Sequence, residues 1–68
     1  MGNWKKVFDS DRMHEAEIVK GVLIENDIQA VIVNKKDSYY RFGNYDVMVE
    51  TDDVLKAIKI IQDEIQFG

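Results

Sequence analysis

His14 is the only histidine of the chain, and acids crowd it: Asp9, Asp11 and Glu15 stand within five residues. The spacing D-x-D-x-x-H raises the question of a divalent cation. A transition-metal site assembles more nitrogen or sulfur donors than this, and the chain has no cysteine. Acids just ahead of a helix have a more ordinary use. Their oxygens accept from free backbone N–H groups, and their charge complements the positive end of the helix dipole. The expectation here is helix capping and no metal.

Nucleophilic catalysis finds no partner set. Neither Ser10 nor Ser38 sits in a nucleophile elbow. A phosphate-cradling loop needs several glycines, and "FGN" offers only Gly43. The carboxylates fall on helix faces and caps, where solvation accounts for them. The chain therefore reads as non-enzymatic, with no catalytic residue and no cofactor.

The stretch with the most binding chemistry is "NKKDSYYRFGNYD", Asn34 to Asp46. Lys35, Lys36 and Arg41 outnumber Asp37 there, while the whole chain has a formal net charge of -4. Tyr39, Tyr40 and Phe42 add flat amphipathic surface of the kind enriched in interfaces. Lys35, Lys36, Asp37, Ser38, Tyr39, Tyr40 and Arg41 are thus candidate contacts for a protein partner or a small anionic ligand. A plain hairpin accounts for the same residues: Gly43-Asn44 suits a II′ turn, and Tyr39–Phe42 then extend the strands and pair across them. Both readings of residues 34–44 stand.

Sixty-eight residues allow one domain, 1–68, with a thin core. At 46% hydrophobic and 32% charged, the composition is that of a folded chain rather than a disordered one. The acidic balance weighs against nucleic acid and against an anionic membrane, since both recruit basic surfaces. A single-stranded RNA site would suit aromatics beside Lys and Arg, but the same acidity counts against it. No apolar stretch approaches the ~20 residues of a membrane span, and "MGNWKK" lacks the apolar run of a signal peptide. Lys6 stands where a myristoylation motif wants Ser or Thr. A cytoplasmic location is the expectation.

The elements that would position these residues follow from periodicity. "WKKVFD", Trp4 to Asp9, reads as a strand. In "MHEAEIVKGVLIEN" the residues Ala16, Val19, Val22 and Leu23 make one helical stripe, widened by Ile18, with Gly21 on the outer face. Asp11 is the favoured N-cap. Asn26 and Asp27 end the helix, because both tolerate the left-handed conformation. "QAVIVN" is β-branched without alternation and predicts a strand with apolar contacts on both faces. "YDVMVE" alternates: Tyr45, Val47 and Val49 share one face, and Asp46, Met48 and Glu50 the other. Thr51 is the expected N-cap of a last helix whose stripe is Val54, Ala57, Ile58, Ile61 and Ile65, with Ile60 off it. Ile58 and Val47 are expected in the core.

The order is β-α-β-β-α, an α+β fold. Two single-striped helices must cover one face of a three-stranded antiparallel sheet, with the third strand between the other two. This is a ferredoxin-like arrangement truncated before its final strand.

The succession "WKKVF", "EAEIVKGVLIENDIQAVIVNKKDS", "FGNYDVMV" and "AIKII" resembles the small putative prokaryotic signal-transducing proteins, a bacterial family of unknown function with a PII-like ferredoxin fold. The resemblance spans nearly the whole chain. Members often carry Gly where Asp27 stands. The resemblance implies a regulatory role and supplies no catalytic or ligand residue.

Such a sheet leaves the first strand as an open edge. Trp4, Lys5, Lys6 and Phe8 are candidate edge or dimer residues, with the two lysines discouraging uncontrolled pairing. Ile24 and Ile60, off their stripes, add apolar surface without evident cover. A homodimer, or a docking site on the first strand or the free sheet face, is expected. The functional expectation is a regulatory module binding through residues 34–44, with a structural or assembly domain as the alternative.

Overall fold

The computed structural model describes residues 3–35 and 44–65. Its elements are β1 (Trp4–Ser10), α1 (Met13–Glu25), β2 (Ala30–Lys35), β3 (Asn44–Glu50), a 3-10 turn (Thr51–Asp53) and α2 (Val54–Glu64). The three strands lie in the order β1-β3-β2, both neighbours antiparallel to β3. This is the α+β order β-α-β-β-α expected from the periodicity, and a ferredoxin-like arrangement is consistent with it.

β3 is central because its alternation offers an unbroken apolar row. Val47 and Val49 are fully buried, and they form one core with Ala16, Val19 and Leu23 of α1, Ala57 of α2, and Ile28 and Ala30. Both helices therefore cover the same sheet face. Burying a side chain such as Leu23 contributes about 1.5–3 kcal/mol relative to leaving it in water, and few residues do so here, as a short chain dictates.

The end of α1 is built locally. Asp27 takes a positive φ of 63°. Its N–H donates to the Ile24 carbonyl at 3.0 Å, and the Ile28 N–H donates to the Leu23 carbonyl at 3.0 Å. This is a Schellman motif, and its usual hydrophobic contact joins Leu23 and Ile28, both in the core. Gly21 is exposed, and a Cβ there would meet nothing within 4 Å, as its outer-face placement predicts.

Several expectations are corrected. The N-cap of α1 is Arg12, without a side-chain cap bond, rather than Asp11. Ser10 instead makes a turn just ahead of the helix: its Oγ accepts from the Arg12 N–H at 3.0 Å and donates to Glu15 Oε1 at 2.7 Å. Thr51 caps no helix by its side chain. It opens the 3-10 turn, α2 starts at Val54, and the hydroxyl donates instead to the Asn3 carbonyl at 2.9 Å. Ile18 is half exposed and does not widen the stripe. On α2 the expected Val54, Ala57, Ile61 and Ile65 do pack in or against the core, but Ile60 joins them there and the half-buried Ile58 does not. β2 buries only one face: Ala30 is buried and Ile32 packs on the core, while Val31 and Val33 are exposed.

Candidate functional site

The sheet face turned away from the helices gathers side chains from all three strands. Alternation along the ladder sets the rows. Val31 pairs with Met48, and Met48 with Lys6; Val33 pairs with Asp46, and Asp46 with Asp9; Trp4 pairs with Glu50 at one end. Trp4, Val31 and Val33 are 38%, 40% and 39% exposed. Trp4, Met48 and the two exposed valines make an apolar patch interleaved with Lys6, Asp9 and Asp46, and exposed apolar patches of this kind mark contact surfaces.

The charges on this face are organised. Lys6 Nζ donates to Asp9 Oδ2 at 3.1 Å, both side chains being about half exposed. That hydrogen bond holds the ammonium above its ordinary value of 10.5, helped by the charges of Asp9 and then Asp46. Asp46 itself is only 2% exposed. Strict alternation had placed it on a solvated face; a buried carboxylate in the middle of the sheet is a feature no sequence period could reveal.

β1 carries a bulge. Its register with β3 shifts between Lys6 and Phe8, around Val7. The bulge changes the alternation, so Val7 and Phe8 both pack against the core. Of the expected edge residues, Trp4, Lys5 and Lys6 are exposed and Phe8 is half-buried. Trp4 also lines an open hollow of about 380 Å³ with Lys20 and Ile24 of α1 and Gln29, Ala30 and Val31.

Of the candidate binding residues, Lys35 closes β2, opposite Asn44 in β3. Lys36, Asp37, Ser38, Tyr39, Tyr40 and Arg41 lie outside the described residues. Around His14, Glu15 is engaged by Ser10 at 2.7 Å and faces Arg12 at 3.7 Å, while His14 is exposed. Among the described residues no three of His, Cys, Asp and Glu converge as a metal site would require. Among the same residues no helix is long and apolar enough to cross a membrane. Met48 stands on the face its alternation predicts, but the sequence does not single out Val31 and Val33, since an unbroken apolar run does not say which of its side chains stay outside.

The sequence model of a family described as putative prokaryotic signal transducing protein matches residues 4–65. No curated protein matches the chain, and no solved structure does.

Proposed function

The chain belongs to the putative prokaryotic signal transducing protein family, and from that premise we propose that it is a non-enzymatic regulatory module that works by binding a protein partner in the cytoplasm. The observation that carries this reading is the grouping of Trp4, Val31 and Val33, all more than a third exposed, on the sheet face that neither helix covers. Met48 lies among them in the ladder. Large apolar side chains gathered on one exposed face mark a contact surface more often than chance does. Lys35 ends β2, Lys36 and Arg41 follow it in sequence, and these three cations would suit an acidic partner segment or a small anionic ligand.

Quantitative capture from a host lysate, followed by titration of the purified partner, tests this. Wild type is compared with Trp4→Ser and with a triple change of Lys35, Lys36 and Arg41 to Ser. Loss with Trp4→Ser at an unchanged fold places binding on the face. Loss with the triple variant places it on residues 34–44. A partner held equally by wild type and both variants overturns the reading.

A further inference from the structure

The two edges of the sheet are built differently. β1 is guarded: it carries Lys5 and Lys6 and breaks register with a bulge at Val7. Lysines and bulges are devices by which proteins discourage strand pairing at an edge. β2 has neither. Its register with β3 runs unbroken from Ala30 to Lys35, and Ala30-Val31-Ile32-Val33-Asn34 contains no charge, no proline and no glycine. Among the described residues β2 has β3 on one side and no strand on the other, so alternate N–H and C=O groups of its outer side are available to a further strand.

We propose that β2 pairs antiparallel with β2 of a second copy of this chain, about a twofold axis through Ile32, joining two three-stranded sheets into one. The sequence itself selects this occupant. "VIV" is a palindrome, so an antiparallel pairing centred on Ile32 sets Val31 of each copy opposite Val33 of the other, and Ile32 opposite Ile32. β-branched residues directly opposite each other are favourable cross-strand pairs. Outside this centre Ala30 meets Asn34 and Lys35 meets Gln29, so no like charges oppose. A twofold contact must be self-complementary in this way, whereas a strand from an unrelated protein would gain nothing from the palindrome. The helix layer agrees. Ile24 is half exposed, and it lines the hollow where α1 meets the start of β2, beside Val31. The pairing would also bring the two apolar faces side by side as one larger surface, though it does not depend on what that surface binds.

Sedimentation equilibrium on the purified chain, without any partner, tests the pairing. Wild type should show about twice the 7.9 kDa chain mass. A Val31→Lys/Val33→Lys variant sets like charges opposite across the axis and should fall to the single-chain mass with an unchanged circular dichroism spectrum. A Val31→Lys/Val33→Glu variant sets unlike charges opposite and should return to the doubled mass. Both positions are exposed, so the core is untouched; should a variant nevertheless fail to fold, the wild-type mass decides. Wild type at the single-chain mass in the high micromolar range overturns the proposal. So does a double-lysine variant that stays doubled, or a lysine–glutamate variant that stays single.

Discussion

Leu23 and Ile28 stand on either side of the Asp27 turn, and the backbone of the second donates to the carbonyl of the first at 3.0 Å while both side chains are buried in the same core. One local motif thus stops α1, turns the chain toward β2 and fixes the core. The edge strand and the apolar face it presents are positioned from there.

Leu23 should be the costliest side chain of α1 to shorten. It is fully buried, and large-to-small core changes cost about 2–5 kcal/mol. Denaturant titration of Leu23→Ala should show a loss in that range. Ile58→Ala should lose markedly less, about 1 kcal/mol, because a half-buried residue outside the core forfeits less transfer free energy and leaves no closed cavity. Equal losses would mean that α2 is rotated from its position here.

Asp27 holds a left-handed conformation at φ 63°. A side chain with a Cβ is disfavoured there, and glycine is not. Asp27→Gly should therefore raise stability by up to ~1 kcal/mol, while Asp27→Val should lower it by roughly 1–2 kcal/mol. Thermal melts of the two variants check the sign. A destabilising glycine would show that the aspartate side chain contributes more than the backbone strain takes away.

Thr51 donates twice to the Asn3 carbonyl, through its N–H at 2.8 Å and its hydroxyl at 2.9 Å. Thr51→Val removes only the second bond. The expected loss is about 0.5 kcal/mol, the low end for a hydrogen bond at an exposed site. Amide exchange should still find the residue 51 N–H protected and the start of β1 in place. Fast exchange there would mean that the hydroxyl, not the backbone, ties the strand down.

Lys6 has its pKa raised above 10.5 by the hydrogen bond to Asp9. A raised folded-state pKa means that the charged lysine stabilises the fold below the unfolded value, and that this contribution disappears as pH rises through the higher folded one. Stability should therefore be indifferent to Lys6 titration around neutrality and decline only in strongly alkaline solution. Lys6→Gln should remove that part of the alkaline decline. Both side chains are half exposed, so the effect should be small and should shrink further with added salt.

Much of this architecture was legible in the chain. The alternation at Val47 and Val49, the stripe through Ala16, Val19 and Leu23, and the Asp27 stop specify the sheet face, one helix and its end. The failures have physical causes. A helix advances about 100° per residue, so Ile58 stands about 100° round from the buried Ala57, and Ile60 only about 60° away on the other side. A stripe read as a list of apolar positions cannot choose between them until one residue is known to be its centre. Asp11 suits a cap by type, but the helix starts one residue later than that cap requires, with Arg12 as its N-cap and the Arg12 N–H held by Ser10. The bulge at Val7 and the burial of Asp46 depend on how β1 and β3 pair, which neither strand's sequence states alone. The valines of β2 look covered on both sides in the sequence because an unbroken apolar run carries no mark of a missing layer.

Amide chemical-shift mapping on the labelled chain, titrated with its captured partner, shows whether the face away from the helices is the one that binds. The perturbed amides should cluster at Trp4 and Lys6 in β1, Val31 and Val33 in β2 and Met48 in β3, with the amides around Ile18 and Leu55 on the helices unmoved. Perturbations centred on Ile18 and Leu55, with the strand amides silent, would contradict that placement.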